Sequence, residues 1–168
     1  GEIADGWLGT SLMPEHADVF FQHIERGAKK AGRSLDDIDL QAGGVVAFSD
    51  DVESLLPARK PGVAFTLGAM GSREHNFYNE AYQRAGYRDL ARQGQRLRRE
   101  SRKEGANARI PDEIVTQKNL RGTEGLVKAA TRAYRDTGVT LNSAWPQSRG
   151  VEGRVGTATS LVRPWVRR

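Results

Sequence analysis

The groups that could do chemistry in this chain are few. His16, His23 and His75 are the only histidines among 168 residues, and there is no cysteine. His16 and His23 stand seven apart, which places them on one helical face, but no third ligand follows at a useful spacing. Solvated or capping roles therefore outrank a metal site. Asp36, Asp37 and Asp39, and then Asp50, Asp51 and Glu53, form two acidic clusters whose positions suit turn and helix-cap chemistry better than cation binding. No Ser–His–Asp grouping follows from spacing. The most distinctive stretch is Ala64–Tyr78, AFTLGAMGSREHNFY. Its Gly68, Met70 and Gly71 could let backbone N–H groups approach a phosphate, with Arg73 supplying charge and Asn76 closing the turn. The plainer reading is a glycine joint between two helices. Neither GxGxxG after a strand nor GxxxxGK[ST] is present.

A second candidate is the basic run from Arg84 to Arg109, with Lys or Arg at 84, 88, 92, 96, 98, 99, 102, 103 and 109. The first four recur every four residues and share one helix face. Phosphate-backbone binding is the sharp reading. Only Tyr82 and Tyr87 lie close enough to stack on bases, so a solvated helix face is preferred and nucleic acid is not the expected partner. The charge balance frames this choice. Net charge is +5, but residues 1–83 carry 7 Lys/Arg against 13 Asp/Glu, whereas residues 84–168 carry 19 against 8.

These residues need a scaffold, and 168 residues suit one domain. The absence of cysteine excludes disulfides and thiolate chemistry and fits a reducing, cytoplasmic setting. No apolar run approaches a membrane span. Trp7-Leu8-Gly9 reads as a short strand. Ala17, Phe20, Phe21, Ile24 and Ala28 recur at helical spacing and predict a helix over 15–31, ended by Gly32. Leu40–Phe48 has the near-continuous apolar end of a strand covered on both faces. A helix capped by Ser49-Asp50-Asp51 follows, bent or restarted at Pro61. Helices are expected over 74–85, over 87–104, from Ile110-Pro111, and from Gly122 to Gly138, with a strand at Val139–Leu141. The alternation predicts an α/β fold with a short parallel sheet. Residues 142–168 show no sustained period and are expected to be loosely packed.

The phrases EIADGWLGTSLMPEHAD, AGRSLDDIDL, GGVVAFSDDVE, GAMGSREHNFYNEAYQRAGY, IPDEIV and YRDTGVT, in this order and spacing, resemble the C-terminal part of luciferase-like oxidoreductases. Within that superfamily they look most like enzymes that use the deazaflavin coenzyme F-420. The resemblance covers roughly residues 1–142 and leaves 143–168 as an atypical basic tail. It implies the C-terminal part of a (β/α)8 TIM barrel, with Trp7–Thr10, Leu40–Phe48 and Val139–Leu141 as its sixth, seventh and eighth strands. The helical stretch 52–137 is then an enlarged connection. Such a barrel needs about 250 residues, so the first five strands are expected to be absent.

What the resemblance implies for function is hydride transfer with coenzyme F-420, or flavin-dependent monooxygenation with FMN as the alternative cofactor, on a small-molecule substrate. It places Trp7, Thr10 and Ser11 after the sixth strand, and Gly68, Met70, Gly71, Arg73 and Asn76 in the glycine turn, at the cofactor rim; the catalytic residues stay unassigned. Little or no activity is expected of this chain alone. The alternative class is a non-enzymatic basic module binding a polyanion through residues 84–109. The exposed sheet edges of a partial barrel predict pairing into a homodimer or poor stability.

Overall fold

The apolar run at Leu40–Phe48 lies in the central strand of a four-stranded parallel sheet. This computed structural model describes residues 1–72, 74–117, 120–148 and 150–162. Along the chain come β1 (Gly6–Leu8), α1 (Asp18–Lys30), β2 (Asp39–Phe48), α2 (Lys60–Gly68), α3 (Phe77–Arg84), α4 (Arg88–Arg99), α5 (Lys103–Ala108), α6 (Asp112–Gln117), β3 (Leu120–Gly122), α7 (Glu124–Asp136), β4 (Leu141–Pro146) and α8 (Gly150–Val162). The α/β expectation and the parallel sheet are both met.

β2 pairs with β1 through residues 39–41, with β4 through 41–46 and with β3 through 46–48. In a parallel ladder one residue sends its N–H and C=O to the same edge. Odd-numbered residues of β2 and the residue following it serve β1 and β3: Gly9 N donates to Gln41 O (2.6 Å), Asp39 N to Asp5 O (2.9 Å) and Ser49 N to Gly122 O (2.9 Å). Even-numbered residues serve β4, with Thr140 N donating to Leu40 O (2.9 Å) and Gln147 N to Val46 O (3.0 Å). β1 and β3 therefore share one edge of β2, and β4 takes the other.

The two faces of the sheet differ. Leu40, Ala42 and Val46 are buried and join the core that holds Phe20, Phe21 and Ile24 of α1 and Val127 and Tyr134 of α7. Side chains alternate along a strand, so Gln41, Gly43, Val45 and Ala47 point the other way, where they are only half-buried. Leu8, Leu141 and Trp145 lie at registers matching those residues and are 66%, 48% and 63% exposed. At about half to two-thirds exposure, each such side chain forgoes roughly 1–2 kcal/mol relative to full burial. This face is open.

Between β2 and β3 lies a helical layer, α2–α6. Asn79, 2% exposed, is its hub. Its Nδ2 donates to Leu67 O of α2 and Ala91 O of α4, both at 2.7 Å, and its Oδ1 accepts from Gln83 Nε2 at 2.7 Å. Gly68 lets α2 approach α4: a Cβ there would sit 2.6 Å from Arg98 Cγ and 2.7 Å from Gly94 O.

Several element boundaries differ from the sequence expectation. Residues 53–59 form two 3-10 turns rather than a helix, and Pro61 sits in the first turn of α2, where its missing N–H is harmless. The helix expected from 74 starts at Phe77, because Ser72 Oγ accepts from His75 N (2.8 Å) in a turn of its own. The helix over 87–104 breaks at Ser101, whose φ of 58° is left-handed. The strand at 139–141 instead runs over Leu141–Pro146, and residues 150–162 are helical. β3 had no counterpart in the sequence reading.

Candidate functional site

The residues expected at a cofactor rim fall into two groups. β1 carries Trp7 on the covered face, where its ring packs on Phe20 (5.3 Å) and Phe21 (5.9 Å) of α1. The chain then turns through Thr10 and Ser11, the latter at φ 67°. Thr10 Oγ1 donates to Tyr78 Oη (3.1 Å), and Phe77 stacks between Phe20 (6.1 Å) and Tyr78 (5.5 Å). The end of β1 is thereby brought against the start of α3.

The glycine turn directs its polar groups inward. Gly68 is the contact point with α4. Met70 N donates to Phe65 O (3.2 Å), continuing the cap of α2. Gly71 has φ 105°, and a Cβ there would meet His75 O at 2.6 Å. Ser72 N donates to His75 O (2.9 Å), and Glu74 N (3.3 Å) and His75 N (2.8 Å) donate to Ser72 Oγ. Asn76 is buried and caps α3 by accepting from Asn79 N (3.0 Å). Arg73 lies outside the described residues. With these N–H groups satisfied locally, the turn has the character of a helix joint.

The histidines stay apart: His16 packs edge-on against Tyr87 (5.8 Å), and His75 belongs to the turn. Among the described residues no group of three or more His, Cys, Asp or Glu is placed to hold a metal ion. The basic run 84–109 is partly engaged in packing. Arg98 lies 5.5 Å over the Phe65 ring, Arg109 Nη1 donates to Gln93 Oε1 (2.9 Å), and Arg102 pairs with Glu100 (3.6 Å). Among the described residues no helix is long and apolar enough to cross a membrane.

A third group was not singled out from sequence. Arg121 of β3 pairs in register with Ala47, and Gln147 follows the rung where Pro146 meets Val46. Arg121 Nη2 reaches across β2 and donates to Gln147 Oε1. Arg121 is only 9% exposed, and its Nε is buried without a partner. Burial pushes its pKa down to about 10, and the nearby Arg59 cation pushes in the same direction. Arg59, which ends the turn before α2, also has a buried Nε without a partner, and desolvation lowers its pKa. Deeper on the open face, Gln41 Nε2 donates to Ser143 Oγ. The C-terminal end of β2 thus carries the Arg121 cation, while the face below it is apolar with one amide–hydroxyl pair. The signal available in sequence was a lone arginine between Leu120 and Gly122.

A model of the luciferase-like monooxygenase family matches residues 1–141. The chain belongs to that family. It is 32% identical over 142 residues to a putative coenzyme F-420-dependent oxidoreductase of Mycobacterium tuberculosis, a match covering 83% of this chain and 41% of the relative. It is 44% identical over 72 residues to the 5,10-methylenetetrahydromethanopterin reductase of Methanopyrus kandleri, covering 43% of this chain and 20% of that one. The solved structure of the coenzyme F-420-dependent tetrahydromethanopterin reductase from Methanopyrus kandleri superposes with a TM-score of 0.64 at 25% identity, over 96% of this chain and 44% of that chain. The chain therefore spans less than half the length of these relatives. The open face presents Leu8, Val45 and Trp145 as apolar surface and Gln41 and Ser143 as a polar pair.

Proposed function

We propose that the chain is the C-terminal part of a (β/α)8 oxidoreductase barrel, with β1, β2 and β4 as its last three strands. The open face is then the barrel interior, and the helical layer α2–α6 is the enlarged connection before the last strand. The observation that carries this reading is the family match over residues 1–141. The F-420-dependent relatives support coenzyme F-420 as the redox partner; FMN is the alternative.

When bound, the deazaflavin supplies hydride transfer to or from a small-molecule substrate; the protein's part is binding, orientation and exclusion of water. Active sites of such barrels form at the C-terminal ends of the strands. In this chain those ends carry Thr10 and Ser11 after β1, the Arg121–Gln147 bridge across β2, and Gln147 after β4. Gln41 and Ser143 would face the ring's polar edge, and Leu8, Val45 and Trp145 its flat surface. Acid–base groups come from the other strand–helix units, so the isolated chain has little or no turnover. Uncovered, its apolar face favours association with a second copy.

The test is a redox assay on two proteins: this chain alone, and this chain joined to the first five strand–helix units of an F-420-dependent relative. Each is given reduced or oxidised coenzyme F-420, then FMN, with a panel of small substrates. Cofactor oxidation or reduction by the joined protein alone supports the proposal. Equal turnover by the isolated chain, or none by the joined protein with either cofactor, overturns it.

A further inference from the structure

One amide on the covered side of the sheet has no partner among the described residues. Asn142 of β4 pairs in register with the buried Ala42 of β2, and residues in register share a face, so its side chain stands on the side packed by α7 and α8. Its Oδ1 and Nδ2 are both buried, and neither makes a hydrogen bond. A carboxamide carries two N–H donors and a carbonyl acceptor, and burying it with none of them paired is costly. An apolar residue of similar size at 142 would remove that cost.

The amide lines a cavity of about 250 Å³ between β4 and the helices α7 and α8. Leu120, Leu141, Ala144, Ala158 and Leu161 form apolar parts of its wall. The two hydroxyls on it are engaged by the backbone: Thr131 Oγ1 donates to Val127 O (2.7 Å), and Thr140 Oγ1 accepts from Leu40 N (2.8 Å). Asn142 is therefore the polar group left to orient a guest. Small-molecule sites have this character, mostly apolar with a few polar groups that fix orientation. An apolar cavity of roughly 150 Å³ takes one benzene, whereas a water accounts for only about 30 Å³. A water bridging the amide would fill little of this space.

We propose that this cavity binds a small molecule with a flat apolar body and one edge on which an N–H stands beside a C=O, as in a carboxamide or a lactam. The guest's N–H donates to Asn142 Oδ1, and its carbonyl accepts from Asn142 Nδ2. The apolar body lies against Leu120 and Leu161. The site is on the opposite side of β4 from the face assigned to the deazaflavin, and the inference does not rest on that assignment.

The probes are benzamide and acetophenone, which match in size; acetophenone carries a methyl group where benzamide has its nitrogen. Each is titrated calorimetrically into this chain, Asn142→Leu and Ala158→Leu. The parent binds benzamide about tenfold more tightly than acetophenone, the worth of a donor to Asn142 Oδ1, although acetophenone is the more apolar of the two. It also melts at higher temperature in benzamide. Asn142→Leu loses this preference and binds acetophenone at least as well as benzamide. Without a probe it melts no lower than the parent, since it removes an unpaired buried amide, which separates lost recognition from lost folding. Ala158→Leu adds bulk to the α8 wall of the cavity at an exposed position and weakens both probes. The proposal is overturned by no binding of benzamide to the parent at millimolar concentration, by equal affinity for the two probes, by a preference that survives Asn142→Leu, or by affinities unchanged in Ala158→Leu.

Discussion

Replacing Asn79 by leucine tests whether the helical layer is held by one buried amide. Leucine is close to asparagine in size, so Asn79→Leu removes polarity more than volume. Asn79 Nδ2 donates at 2.7 Å to both Leu67 O and Ala91 O, and Oδ1 accepts from Gln83 Nε2 at 2.7 Å. At 2% exposure the residue gives water little chance to replace those bonds. A buried carbonyl left without its donor costs about 1–3 kcal/mol. Leu67 O keeps a long bond from Asn76 Nδ2 (3.5 Å) and Ala91 O lies within α4, so the three lost bonds, at about 1 kcal/mol each, give a net destabilisation of about 3 kcal/mol. For a chain of this length that corresponds to a fall in Tm of roughly 6–12 °C. Urea unfolding followed by circular dichroism measures the first figure and a thermal melt the second. Gln83→Ala, which removes only one of the three bonds, should cost about 0.5–1.5 kcal/mol. A loss below about 1 kcal/mol for Asn79→Leu would refute the assignment of Asn79 as the clasp between α2, α3 and α4.

Gly68→Ala should destabilise by about 1–3 kcal/mol through overpacking, since the new Cβ meets Arg98 Cγ and Gly94 O at 2.6 and 2.7 Å; urea unfolding checks it, and a neutral result would remove the close α2–α4 approach from the account. Asp37 accepts from Ser34 N (2.8 Å) and Ser34 Oγ (3.2 Å), and the Ser34 backbone bond is the main cause of its lowered pKa. A carboxyl whose folded pKa is depressed adds stability above its unfolded pKa, near 3.9, and loses it as pH falls through the folded value. The acid limb of the stability–pH curve should therefore flatten in Asp37→Asn, read by melts below pH 5. The double variant Leu8→Lys, Trp145→Lys places charges on the open face and should reduce self-association in light scattering; an unchanged mass distribution would show that this face is not where copies meet.

The strand Leu40–Phe48 could be read from its apolar run, but the covering expected on both faces is found on one only, since Gln41, Gly43, Val45 and Ala47 face a side that no described helix covers. The helix α1 was equally legible from Phe20, Phe21 and Ile24. β3 was not, because three residues, Leu120-Arg121-Gly122, carry no period, and their strand geometry comes from pairing with β2 rather than from propensity. α8 was hidden by Gly150, Gly153 and Gly156, which weaken helix propensity, and only Leu161 on it is buried. Continuity of α4 into α5 was an overreach: the basic spacing continues past Ser101, but the left-handed backbone there ends the helix. The same contrast holds at the site. Thr10, Ser11 and the glycine turn stood out by motif. Arg121 and Gln147 lie 26 positions apart in sequence and meet across β2 only because β3 and β4 both pair with that strand.

The central claim is that this chain supplies one wall of a deazaflavin site. It is tested most directly by a fluorescence titration with coenzyme F-420, carried out on the chain alone and on the chain joined to the first five strand–helix units of a relative. The account predicts saturable binding by the joined protein, weakened by Trp145→Ala, and no micromolar binding by the chain alone. Micromolar binding by the chain alone, or a joined protein indifferent to Trp145→Ala, would contradict it.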